Sequence, residues 1–121
     1  MAIGCISSVG LYPEKSNYVD TDVTLALQTQ DVNNWQPYST AGINCKVYDL
    51  AFTDIPNSGI SLDSDIVILP RGSITETMLE NFSYINAVEI VTIDNANFIR
   101  FYSMRGEPPA NIDLTVRVLN P

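Results

Sequence analysis

Fourteen carboxylates, six basic groups, two thiols and six phenols are the ionisable side chains of this chain, and there is no histidine. Without an imidazole to carry a proton between nucleophile and leaving group, the Ser-His-Asp and Cys-His arrangements are ruled out. The usual zinc ligand sets go with them, because Cys5 and Cys45 form no CxxC pair and have no histidine to share a metal with. Carboxylates that cleave glycosides must face each other across a cleft. Two candidate pairs are Asp63 with Asp65, in a polar loop, and Glu76 with Glu80, on a helix face; both read as solvated surface. Ser61-Leu-Asp-Ser-Asp65, with Asp54 upstream, offers oxygens to calcium but lacks the central glycine and closing glutamate of an EF-hand loop. The glycines stand singly and build no phosphate cradle. The expectation is a protein that is not an enzyme and uses no metal or cofactor.

With chemistry set aside, contact is what remains. Trp35 and Tyr38 sit close together in a polar turn, Asp31-Val-Asn-Asn-Trp-Gln-Pro-Tyr-Ser-Thr40, and such rings supply contact area at low entropic cost. The segment Met1–Val19 carries Ile3, Ile6, Val9, Leu11, Tyr12 and Tyr18 among Ser, Gly and Pro, with no sustained period. It reads as an extended arm, with room for one short strand, whose apolar side chains must be buried against the domain or a neighbour. The expected partner-binding residues are therefore Ile3, Ile6, Val9, Leu11, Tyr12, Tyr18, Trp35 and Tyr38. Cys5 and Cys45 either pair across the fold or serve as two small buried hydrophobes; the second reading is preferred, because the start of the chain has no basic n-region and long apolar stretch to suggest export.

Charge narrows the partners. A net charge of -8 repels phosphate backbones and anionic membrane surfaces, so neither nucleic acid nor membrane is expected to bind. The acids are scattered rather than clustered, as on a solvated exterior, and no run approaches the ~20 apolar residues that cross a bilayer.

The elements that must carry these residues are mostly strands. Val23, Leu25 and Leu27 alternate with Thr24, Ala26 and Gln28; Ile43, Cys45 and Val47 alternate with Asn44, Lys46 and Tyr48; and Leu50–Ile55 continues that sheet after a break. Ile66-Val-Ile-Leu69, closed by Pro70, predicts a strand buried on both faces. Ser73-Ile-Thr-Glu76 fits a capping box and predicts the single helix, over Ser73–Tyr84, with Ile74, Met78, Leu79, Phe82 and Ile85 at helical spacing. Val88–Ile93 and Phe98–Ser103, joined by Asp94-Asn-Ala-Asn97, predict a hairpin, and Leu114–Leu119 a last alternating strand. At 121 residues one core is expected. The predicted fold is mainly β: a small antiparallel β-sandwich or barrel-like domain over 21–121, with one short helix and an extended N-terminal arm over 1–20.

The order of these signals resembles a small β-rich module of tailed-bacteriophage head-fibre and fibre-like virion proteins. The likeness rests on Val23-Thr-Leu-Ala-Leu27, the tryptophan at Asn34-Trp35, Ile66-Val-Ile-Leu-Pro70, the short helical stretch, Val88-Glu-Ile90, Phe98-Ile-Arg-Phe101 and the close Pro109-Ala-Asn-Ile-Asp-Leu-Thr-Val-Arg-Val-Leu-Asn120, and it covers roughly 22–121. The chain departs from it in the long segment between Trp35 and Asp65, which looks like an insertion, and in the apolar arm. The resemblance implies a structural virion protein, assembled in the host cytoplasm, that decorates a capsid or forms part of a head or tail fibre. Its partners would be other virion proteins of capsid, collar or tail, and its own state a homo-oligomer, usually a trimer in modules of this kind. The rival expectation is a carbohydrate- or receptor-binding module in which Trp35 and Tyr38 stack on sugar rings.

Overall fold

The computed structural model describes residues 17–119. Ile3, Ile6, Val9, Leu11 and Tyr12, the greater part of the expected partner-binding set, lie outside the described residues, as does Cys5. Within them, 53% of residues are in strands and 10% in helix, so the mainly-β expectation holds.

Two antiparallel sheets pack face to face. The first contains β1 (Tyr18–Leu25), β9 (Ile112–Leu119) and β6 (Asp65–Pro70), in that order, with β9 central. The second contains β4 (Gln36–Thr40), β5 (Ile43–Ala51), β8 (Ala96–Ser103) and β7 (Ala87–Ile93), in the order β4-β5-β8-β7. A two-stranded ribbon, β2 (Gln28–Thr29) with β3 (Val32–Asn33), stands apart. Because side chains alternate along a strand, each sheet turns one row inward. Leu25, Ile112, Leu114, Val116 and Val118 from the first sheet meet Leu50, Ile99 and Phe101 from the second, with Trp35 and Ile55 completing the buried cluster.

Local turn chemistry fixes the registers. Three connections have two-residue loops whose central residues both lie at positive φ: Gln30 and Asp31, Ala41 and Gly42, Asp94 and Asn95. That is the backbone of the type I′ turn, whose twist matches the strands it joins. Asn, Asp and Gly tolerate it readily; Gln30 and Ala41 carry a cost of ~1–2 kcal/mol each, which the surrounding ladders must offset.

Several expectations need correction. The chain enters the sheet at Tyr18, and Tyr18, Val19 and Asp20 pair with Leu119, Val118 and Arg117, so an arm ending at residue 20 would cut into β1. Gln36–Thr40, read as a turn, is edge strand β4; its Pro37 is tolerated there because an edge need not donate on its free side. Strand β5 runs unbroken to Ala51, and Phe52–Asp54 is a turn of 3-10 helix rather than more sheet. Among the described residues strand β6 pairs only with β9 and has one covered face, leaving Val67 38% exposed, so its continuous apolar run does not mean burial on both faces.

The helix, α1 (Glu76–Phe82), is capped by Thr75, whose Oγ1 accepts from the Met78 N–H at 3.1 Å, and not by Ser73. Residues 71–74 are used in leaving β6: Arg71 is tied to Asp113 at 2.8 Å and Gly72 turns the chain at φ +86°. Of the residues at helical spacing, Phe82 and Ile85 pack on the core, whereas Ile74 and Leu79 are exposed.

Candidate interaction surface

The outward faces of the two sheets differ. On the first sheet, charge is closed into cross-strand pairs. Arg117 (β9) grips Asp20 (β1) with Nε at 2.8 Å and Nη2 at 3.0 Å, while its guanidinium lies 4.2 Å over the Tyr18 ring. Thr115 donates to Asp22 at 2.8 Å and Thr24 to Asp113 at 2.7 Å; Arg71 meets Asp113 at 2.8 Å. Hydrogen bonding from Arg117 holds the Asp20 carboxyl below its ordinary range, and the Thr24 hydroxyl, then Arg71, does the same for Asp113.

The outward face of the second sheet is aromatic and apolar. Register places Tyr38 (β4) beside Cys45 (β5) and Tyr102 (β8) beside Val47 (β5). Strands two apart in a sheet are separated by roughly 9–10 Å, yet these rings meet edge to face with centroids 5.9 Å apart. They therefore lean toward each other over β5, consistent with Cys45 and Val47 being 7% and 5% exposed on an outward face. Cys45 is buried and has no disulfide partner among the described residues.

Below this arch, Arg100 (β8) donates to both oxygens of Asp49 (β5) at 2.8 and 3.0 Å and places its guanidinium 4.9 Å from the Tyr38 ring centre. The pairing with Asp49 raises the Arg100 pKa further and fixes it as a cation. Tyr102 donates its hydroxyl to Glu89 on β7. Burial first, and then this carboxylate, push Tyr102 up to about 12. Beside the arch, Ile43, Ala87, Val88, Glu89, Tyr102 and Met104 border an open, mainly apolar groove of ≈ 530 Å³. Ile43 is 42% and Met104 60% exposed.

One pH effect follows from Tyr102. Below pH ~10, the ordinary tyrosine value, folded and unfolded chains both keep its proton, and its share of stability is fully present. As pH rises toward 12 the unfolded chain loses that proton first, so the folded state is progressively destabilised. The advantage of the natural chain over Tyr102→Phe in urea denaturation should shrink between pH 10 and 12, and the Cζ resonance of labelled Tyr102 should titrate near 12. Titration of that resonance near 10 would refute this.

The expected contact residues fare differently. Tyr38 lies in the arch, half-buried, and Tyr18 is 53% exposed at the start of β1 beneath Arg117. Trp35 is a correction: it is 0% exposed, packed edge to face on Tyr48 at 5.5 Å, and cannot touch a partner or a sugar. Its neighbour explains why. Asn34 ties the β2–β3 ribbon down, with Nδ2 donating to Ala26 O at 3.0 Å and Thr29 Oγ1 at 2.9 Å and its N–H to Leu27 O at 2.9 Å, so the next side chain is aimed inward. Sequence reasoning missed Tyr102, Arg100, Ile43 and Met104. The alternation of Phe98, Arg100 and Tyr102 was a signal that they share a face, but only the β5–β8 register brings that face to Tyr38.

The loop considered for calcium is closed on itself by serines: Ser61 N–H donates to Ser64 Oγ at 2.9 Å and Asp63 N–H to Ser61 Oγ at 3.3 Å. Asp65 opens β6. All four arginines of the sequence are engaged, the last being Arg105, stacked 4.1 Å over Tyr84 and donating to Ser83 at 2.6 Å. Comparison of the chain with protein-family models, with curated proteins and with solved structures finds no match.

Proposed function

We propose that this chain is a non-enzymatic structural protein of a tailed-bacteriophage virion, a capsid decoration or a component of a head or tail fibre, acting through protein–protein interfaces. The observation that carries the interface reading is the outward face of the second sheet. Its charges are satisfied internally through Arg100–Asp49 and Tyr102–Glu89, leaving an apolar groove with Ile43 and Met104 beside it. A protein neighbour gains from covering such a surface, at ~25 cal/mol per Å² of apolar area removed from water. The virion setting is supported by the sequence resemblance over 22–121. A sugar-binding reading would need Trp35 and Tyr38 as a joint platform, and Trp35 is in the core.

The test combines location with attachment. Antibodies to the chain should label particles of the virus that encodes it, at the head surface or along a fibre. A chain lacking residues 1–16 should keep its fold, because the described strands begin at Tyr18, with a melting temperature within a few degrees of the full chain. It should fail to label reconstituted particles if the apolar arm is the anchor. Labelling of no particle would overturn the virion reading. Normal attachment of the shortened chain would move the anchor to the groove.

A further inference from the structure

Among the described residues the two sheets have four edges, and three of them are guarded against further pairing. Strand β1 carries Asp20 and Asp22, β4 carries Pro37, and β6 runs from Asp65 to Pro70; charges and prolines of this kind keep edges from adding strands. The fourth edge, β7, reads Ala87-Val-Glu-Ile-Val-Thr-Ile93, has neither proline nor lysine, and carries one charge, Glu89, where β1 carries two. We infer that β7 pairs antiparallel with β7 of a second copy, joining two four-stranded sheets across a two-fold axis at Ile90. This goes beyond the virion reading and does not depend on it.

The backbone sets the register. Ile93 and Ala96 flank the two-residue turn at Asp94 and Asn95, and flanking residues of such a hairpin exchange both hydrogen bonds. Alternation then turns the N–H and C=O groups of Val88, Ile90 and Thr92 away from β8, toward the free edge. Centring the pair on Ile90 sets Ile90 against Ile90 and Val88 against Thr92, so all three residues find partners.

Side chains favour the same register. On the outward face, Glu89 then lies opposite Val91 of the other copy. Shifting the centre to Glu89 would oppose two carboxylates, costly in a chain of net charge -8, and shifting it to Val91 would leave Val88 unpaired. The centred register also sets Ile93, 37% exposed, opposite Ala87, the small residue at the border of the 530 Å³ groove. Each copy thus offers an exposed isoleucine to the other's groove, as an isologous contact requires.

Light scattering on the full chain over a dilution series from ~100 to ~1 μM reads the outcome. The natural chain should approach about 27 kDa, twice its 13.4 kDa. Val91→Glu sets a carboxylate against Glu89 of the other copy and should weaken the dimer at least ten-fold. Val91→Lys, equally polar, gains a partner there and should stay dimeric. Thr92→Pro removes an outward N–H and should also give a monomer with an unchanged far-ultraviolet spectrum. Hydrogen exchange needs no variant: the Val88, Ile90 and Thr92 amides should gain protection as concentration rises. A natural chain that is monomeric at the highest concentration, a three-fold mass, a monomeric Val91→Lys, a folded Thr92→Pro that still pairs, or exchange at those amides independent of concentration would each overturn the inference.

Discussion

Trp35→Ala should lower stability by about 3–5 kcal/mol, the range for removing a large buried aromatic. Trp35 is 0% exposed, bridges the β3–β4 connection to the core, and meets Tyr48 edge to face at 5.5 Å. A domain of this size has a total stability of ~5–15 kcal/mol, so the variant should melt roughly 15–30 °C lower or fail to fold. Trp35→Phe should lose no more than about half as much. It leaves a smaller cavity and removes the indole Nε1–H, which is buried with no hydrogen-bond partner among the described residues. Being the single tryptophan of the sequence, Trp35 reports its own environment, and its emission should be blue-shifted until the cooperative unfolding transition. A Trp35→Ala variant destabilised by less than ~1 kcal/mol in urea denaturation would mean that the ring is not a core member.

The second large effect concerns Asp49 and Arg100, whose side chains are 27% and 13% exposed and joined by two parallel hydrogen bonds. Removing the carboxylate alone leaves a guanidinium largely cut off from water, so Asp49→Ala should cost about 2–3 kcal/mol. Arg100→Met leaves a carboxylate better able to reach solvent and should cost less, about 1–2 kcal/mol. The double variant should be more stable than the sum of the two losses predicts by at least ~1.5 kcal/mol, since neither charge is then stranded. Two single effects that simply add, within ~0.5 kcal/mol, would show the pair to be solvated and energetically idle.

Most of the strands were legible from sequence because they depend on alternation and on turn residues near in the chain. Leu114, Val116 and Val118 alternate in the sequence and are all 0% exposed in the fold; the Asp94–Asn95 hairpin follows from the tolerance of those residues for positive φ. The candidate surface was hardly legible. Gln36–Thr40 has the composition of a turn, and what makes it a strand is its pairing with β5, which no local preference encodes. Trp35 in a polar stretch suggested exposure, and it is Asn34, fastened to Ala26 and Thr29, that turns it inward.

The sequence alone determined that the chain makes a mainly-β domain with one short helix, and that its net charge is -8. Periodicity, turn chemistry and net charge are local or additive properties, and they survive any arrangement of the strands. Tertiary structure decided what is exposed and what meets what: that Tyr38 leans on Tyr102, that Arg100 is held by Asp49, and that β7 is the edge left unguarded. Those depend on strand order and register between residues distant in the chain, where a one-residue slip sends every side chain to the opposite face.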